Sequence, residues 1–177
     1  MIRARQKVAI LGATGAVGQT FIRLLAGHPW LEIAELVASE RSAGQRYRDV
    51  VRWQDGELAP EVGELTLLPA DAASVQSRIA FSAMDSSVAG PIEEMFAKAG
   101  KTVLSNSKNH RMDPDVPLVI PEINADHMRL LEHQRRARGW SGALVTNANC
   151  SATVAAMALA PLHESFGINR IFVSTMQ

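Results

Sequence analysis

The sequence predicts an α/β protein built on a doubly wound, mainly parallel sheet. Three observations carry that expectation. Short apolar runs alternate with amphipathic helical patterns along the chain. A glycine-rich turn, Gly12-Ala13-Thr14-Gly15-Ala16-Val17-Gly18, lies between the first strand and the first helix. The composition is that of a folded domain, 47% hydrophobic and 20% charged over 177 residues.

The elements follow in order. Val8 to Leu11 reads as a buried strand. Val17, Phe21, Leu24 and Leu25 recur at helical spacing, so residues 16–27 form an amphipathic helix that His28-Pro29 ends. Ile33 to Val37 is a second strand, and residues 39–55 are a polar loop with some helix. Leu65 to Leu68 and Ile79 to Ser82 are further strands. Ile92, Met95, Phe96 and Ala99 mark a helical face stopped by Gly100, and Thr102 to Leu104 is the next strand. After a polar loop, the apolar run Leu118-Val119-Ile120 is closed by Pro121. Asn124 or Asp126 caps a helix carrying Met128, Leu130 and Leu131. Its end, Arg135-Arg136-Ala137-Arg138, reads as a solvated last turn favoured by the helix dipole, or else as a phosphate patch. Ala143-Leu144-Val145 is a strand, residues 151–165 are helical, and Ile168 to Met176 alternates as a final strand. That strand runs to the last residue with no turn, so the chain is expected to stop inside a larger protein.

Composition excludes several functions. Eighteen basic and eighteen acidic residues give zero net charge, which argues against a nucleic-acid partner. A single cysteine excludes an internal disulfide and a Cys-rich zinc site. His28, His127 and His133 lack zinc-ligand spacing, so no metal is expected. No apolar run reaches the length of a membrane span. Arg3, Arg5 and Lys7 before Val8–Leu11 faintly resemble a secretory signal. The apolar stretch breaks at Gly12, however, and a first buried strand explains it better. A cytoplasmic location is expected.

Two motifs carry chemistry. The glycine loop has the spacing G-x-x-G-x-x-G, a variant of the dinucleotide fingerprint. Glycines there allow a tight turn and close approach of backbone to a pyrophosphate, and the helix start offers unpaired N–H groups. A Rossmann-like nucleotide site is therefore expected. After the second strand comes Ser39-Glu40-Arg41-Ser42. An acidic side chain there favours NAD, and an arginine flanked by hydroxyls favours the 2′-phosphate of NADP. Both are present, and the donors of Ser39, Arg41 and Ser42 tilt the reading to NADP. The second motif is Cys150, placed where a strand gives way to a helix. A helix start stabilises a thiolate, and the Asn149 amide can donate to an oxyanion, so Cys150 is a candidate nucleophile. Its base is unassigned. His163 stands 13 residues on, roughly 20 Å along the same helix, whereas spacing leaves His110 open.

In these motifs and the segments around them, the chain resembles the amino-terminal half of aspartate-semialdehyde dehydrogenases, particularly their archaeal and fungal-like branch. The resemblance rests on the glycine loop, Phe81-Ser82-Ala83, Ser105-Asn106, the run from His110 to Asn124 that contains Pro117-Leu118-Val119-Ile120-Pro121-Glu122, Asn147-Ala148-Asn149-Cys150-Ser151, and Ser174-Thr175-Met176-Gln177. It implies an NADP-dependent oxidoreductase of lysine, threonine and methionine biosynthesis, which interconverts L-4-aspartyl phosphate and L-aspartate 4-semialdehyde through a cysteine thioester. It implies Cys150 as nucleophile with Asn149 beside it, and Arg111 and Gln177 as phosphate and substrate contacts. The cofactor site would comprise Gly12, Thr14, Gly15, Ala16, Val17, Gly18, Ser39, Arg41, Ser42, Ser82 and Ala83. Residues 1–149 would form the NADP-binding domain and 150–177 the start of an α+β catalytic and dimerisation domain. The family's catalytic histidine would lie in a part this chain lacks, and the whole protein would be a homodimer or homotetramer. Ala148 replaces the usual proline, and Met84-Asp85-Ser86 replaces a common Leu-Pro-Ser. Two other readings stand beside this one: an acyl-CoA reductase of the malonyl-CoA type on the same scaffold, and an NADP-binding module without turnover.

Overall fold

β1 (Gln6–Leu11) opens the sheet in the computed structural model, which describes residues 4–54 and 56–176. α1 (Ala16–Leu25) returns the chain to β2 (Leu31–Val37). Single-turn helices α2 (Tyr47–Val50) and α3 (Pro60–Gly63) precede β3 (Leu67–Leu68). β4 (Ile79–Ser82), α4 (Ser86–Lys98) and β5 (Thr102–Ser105) follow. A long loop then leads to β6 (Leu118–Val119), α5 (Pro121–Asn124), α6 (Leu130–Arg138), β7 (Ala143–Asn147) and α7 (Cys150–Phe166). The strand order is β3-β2-β1-β4-β5-β7-β6, and every pairing between these strands is parallel. The order reverses at β1 and β4, where helices on opposite faces diverge and leave a crevice at the carboxyl ends of the strands.

Alternation along the strands builds a core on each face. Ala9, Leu11, Ala80, Val103 and Leu144 pack with Phe96 and Ala97 of α4. Val8, Ile10 and Leu36 pack with Ile22 and Leu25 of α1. β6 reaches only Thr146 and Asn147 of β7. At Leu144 the side chain of Gln134 takes the place of a strand: its Nε2 donates to Leu144 O at 2.9 Å and its Oε1 accepts from Leu144 N at 2.9 Å. An interior polar side chain is tolerated because its hydrogen bonds are complete.

Five expectations are corrected. The buried face of α1 is Gly18, Gln19, Ile22 and Leu25, whereas Val17 and Leu24 are exposed. Gly18 must lie against the strand, and this rotates the helix away from the face that apolar residues alone suggest. In α4 the buried positions include Glu93, and Met95 is exposed. Asn124 does not cap a helix through its side chain. It ties the turn after β6, accepting from Ile120 N at 2.7 Å and donating to Leu118 O at 2.9 Å. The alternation over Ile168–Met176 does not form a strand among the described residues. Phe172 and Met176 of that segment are exposed. A strand needs a partner edge, and α7, with no buried residue among those described, does not bring the segment onto the sheet. The Leu65–Leu68 strand is also shorter than read, pairing only at Leu67 and Leu68.

The arginine-rich end of α6 is a staple rather than an open patch. Arg138 donates to both oxygens of Asp115, at 2.5 and 2.6 Å, to Asp113 at 2.8 Å and to Glu94 at 3.2 Å, and its guanidinium lies over Trp140. Arg135 donates to Gly142 O, and Arg136 pairs with Glu132. The Arg138 hydrogen bonds hold the Asp115 carboxyl below the usual range. Burial opposes ionisation of Asp113, but its bonds to Arg138 and His110 together outweigh that and lower it as well. The stability these carboxylates contribute is therefore complete above about pH 4 and lost as the pH falls through their lowered folded values. Arg138→Ala is expected to cost about 2–3 kcal/mol at neutral pH and to flatten the loss of stability in acid. Urea unfolding at neutral and acid pH measures both.

Candidate active site

Three glycines shape the loop after β1, each for a different reason. Gly12 has φ +77°, and a Cβ there would meet Ala83 O at 2.9 Å. Gly15 is the N-cap of α1, and a Cβ there would touch only Gly12 O, at 3.5 Å, so the space above it is open for a ligand. At Gly18 a Cβ would overlap Gly12 O, so glycine alone lets the helix lie on the strand's exit. The first α1 bond runs from Gln19 N to Gly15 O at 2.9 Å. The N–H groups of Ala16, Val17 and Gly18 precede it and point out of the helix start, and the sequence places no acidic side chain in this turn. This is the arrangement that receives a pyrophosphate.

Two residues not singled out from the sequence hold the loop from behind. The Tyr47 hydroxyl donates to Ala13 O at 2.8 Å, with the ring fully buried. Burial pushes its phenol well above the usual value, so it remains a donor. Buried Gln19 donates to Thr14 O at 3.1 Å and accepts from Gln54 N at 3.0 Å. The signal available was weak: a lone tyrosine in a polar stretch, whose ring and hydroxyl want burial and a partner together.

A cleft of about 590 Å³ runs from Gly12, Thr14 and Gly15 past Ala83 to Ser39 and Glu40. Arg41 and Ser42 stand outside its lining, on the turn that follows, where Ser42 N donates to Ser39 O at 2.9 Å. Ser82 also lies outside it. Its hydroxyl turns inward and donates to buried Glu93 at 2.6 Å. The cleft thus brings together Gly12, Thr14, Gly15, Ser39 and Ala83 of the sequence-derived set.

A second cluster forms at the same edge of the sheet. Cys150 is exposed and is the first residue of α7. Asn149 caps that helix, its Oδ1 accepting from Ala152 N at 2.7 Å, which leaves its amide nitrogen for another acceptor. Three residues before Cys150, Asn147 donates to Asn106 Oδ1 at 2.7 Å. Arg111 Nη2 donates to Asn106 O at 2.9 Å and reaches Asn147 Oδ1 at 3.5 Å. Its Nε is buried and has no hydrogen-bond partner among the described residues. Gln177 lies outside the described residues.

Neither candidate histidine is placed as a base for Cys150. His110 is buried, with Nδ1 at 2.9 Å from Asp113 Oδ2 and Nε2 at 3.3 Å from Gly90 O. His163 Nδ1 accepts from Ile168 N at 3.1 Å at the far end of α7. Among the described residues, no group of three or more His, Cys, Asp or Glu could hold a metal ion, and no helix is long and apolar enough to cross a membrane.

A parallel doubly wound sheet, an open glycine loop at its switch point and a thiol on a helix start define a dinucleotide-binding domain of the dehydrogenase type. A family model described as "Semialdehyde dehydrogenase, NAD binding domain" matches residues 7–131, and the chain belongs to that family. Over 98% of its length it is 44% identical to the aspartate-semialdehyde dehydrogenase of Archaeoglobus fulgidus. Over 99% it is 42% identical to a malonyl CoA reductase (NADP) of Metallosphaera sedula. The structure of aspartate semialdehyde dehydrogenase with NADP from Candida albicans matches 93% of this chain and 48% of its own, with a TM-score of 0.83 and 39% identity. The chain spans about half the length of the curated relatives it matches.

Tyr47→Phe strands Ala13 O without its donor. It is expected to lower stability by about 1–3 kcal/mol and to weaken dinucleotide binding several-fold. Urea unfolding and a fluorescence titration with NADPH read the two effects.

Proposed function

We propose that this chain is the cofactor-binding and nucleophile-bearing part of an NADP-dependent aspartate-semialdehyde dehydrogenase. The observation that carries the reading is the meeting, on one sheet edge, of the bare α1 start, the α7 thiol and an arginine tied to the thiol's own strand. The high identity to aspartate-semialdehyde dehydrogenases supports it.

On this reading Cys150 Sγ attacks the carbonyl carbon of L-4-aspartyl phosphate. A C–S bond forms, the C–O bond to phosphate breaks, and phosphate departs toward Arg111, whose fork suits it. The Asn149 amide donates to the oxyanion. The glycine loop would hold NADPH, which would supply hydride to the thioester carbon. Collapse then expels the Cys150 thiolate and yields L-aspartate 4-semialdehyde. Ala16, Val17 and Gly18 N–H groups receive the pyrophosphate, Ser39 lines the cleft on the adenosine-ribose side with Arg41 and Ser42 on the turn just outside it, and Ala83 floors the cleft. Residues 1–149 form the cofactor domain, and residue 150 begins a second, catalytic and dimerising domain, a division supported by the exposure of Val154, Leu162 and Phe166 along α7. The whole protein is a cytoplasmic homodimer or homotetramer.

A second reading has specific support. The similarity to a malonyl CoA reductase (NADP) is nearly as high, and the same thiol would accept an acyl group from a CoA thioester. Oxidation of aspartate semialdehyde with NADP decides between them: dependence on inorganic phosphate supports the dehydrogenase, and dependence on CoA the reductase.

Cys150→Ala is expected to abolish NADPH formation in the protein as its source makes it, and substantial residual turnover would sink the thioester route. Arg41→Ala is expected to weaken NADPH binding about tenfold or more, consistent with loss of a charge-assisted contact, while sparing NADH. Equal loss of both would remove Arg41 from the 2′-phosphate.

A further inference from the structure

The least accessible charged side chain near the site belongs to none of the groups above. Glu93 of α4 is 0% exposed. Its Oε1 accepts two hydroxyls, from Ser82 at 2.6 Å and from Ser105 at 2.7 Å. These are the last residues of β4 and β5, and they stand opposite each other in the sheet. Its Oε2 has no hydrogen-bond partner among the described residues and lies 4.0 Å from His110 Nε2. Burying a carboxylate is costly, so one retained at this place calls for an explanation beyond packing.

Each serine leads to a different half of the site. Ser82 precedes Ala83, whose N–H donates to Leu11 O at 2.9 Å and whose carbonyl packs against Gly12. Ser105 precedes Asn106, whose carbonyl and side chain hold Arg111 and Asn147. Ser105 Oγ also accepts from Ser107 N at 3.0 Å. His110, beside Glu93 on the other flank, is the residue before Arg111. We propose that Glu93 is a positioning residue that sets the cofactor cleft and the anion-binding arginine in register with each other. It does so by clamping the ends of β4 and β5 with one carboxylate oxygen and bracing the Arg111 loop through His110.

The inference rests on the reading of Arg111 and the glycine loop given under Proposed function. Its test compares Ser82→Ala, Ser105→Ala and the isosteric Glu93→Gln in the intact protein, with NADPH and inorganic phosphate as probes and amide hydrogen exchange as a ligand-free readout. Ser105→Ala is expected to weaken phosphate binding about five- to tenfold with NADPH held within about twofold, and Ser82→Ala to do the reverse. Those factors correspond to the loss of one hydrogen bond. Glu93→Gln is expected to weaken both ligands and to speed exchange in both residues 83–86 and residues 106–112. Unchanged affinities in Glu93→Gln, even with a lower melting temperature, would reduce Glu93 to a structural residue and overturn the proposal. So would equal effects of the two serine variants on both ligands. A wild-type protein that binds neither probe overturns the functional reading instead. The exchange pattern then decides: faster exchange at both segments in Glu93→Gln sustains the clamp, and no change at either removes it.

Discussion

The distance between the end of β1 and the start of α1 sets the rest of the site. Gly12 O occupies the place where a side chain at position 18 would begin, so the helix rests directly on the strand's exit. That contact fixes where the N–H groups of Ala16, Val17 and Gly18 emerge. It places them at the β1–β4 boundary, where the strand order reverses and the helices part. Ala83, pressed against Gly12 from the neighbouring strand, closes the floor of the same cleft. A methyl group at position 18 would move the helix, and with it the anion-binding end of the cofactor site.

Two helices begin at this edge of the sheet, and their starts are treated differently. α1 has Gly15 as its N-cap and no side-chain cap, so its first N–H groups are left to a ligand. α7 is capped by its own Asn149, so its start is satisfied internally and its first residue, Cys150, is presented on a finished helix. A diffusing anion is held by the first arrangement, whereas the second holds a covalently attached sulfur in one place. The difference lies in one residue at each cap, glycine or asparagine, and follows from what each residue can donate or accept.

Much of the fold was legible because it rests on patterns that sequence carries directly. Apolar runs at β1, β2, β4, β5 and β7, the glycine loop between β1 and α1, and the helix stop at Gly100 all reflect local chemistry. The readings that failed depended on partners far away in the chain. Glu93 drew no reading from the sequence, because nothing nearby in sequence shows that Ser82 and Ser105 converge on it. Tyr47 looked like part of a loop until Ala13 came within reach of its hydroxyl. Arg138 seemed free because Asp113 and Asp115 lie more than twenty positions earlier. The alternation of Ile168–Met176 satisfied the pattern of a strand without the neighbour a strand requires. The placing of Cys150 at a helix start was readable from the residues, but the Asn106–Asn147 bridge beside Arg111 was not.

The support behind the glycine loop also gives the molecule an optical signature. Tyr47 is the sole tyrosine of the chain, and its ring stands edge-on to Trp53 with centroids 6.5 Å apart. At that separation, light absorbed by the phenol passes to the indole before it is emitted. Tyrosine emission is therefore expected to be weakened while the ring keeps this seat, and to change when the ring moves relative to Trp53. The residue that keeps the loop in shape reports, without any label, whether it is doing so.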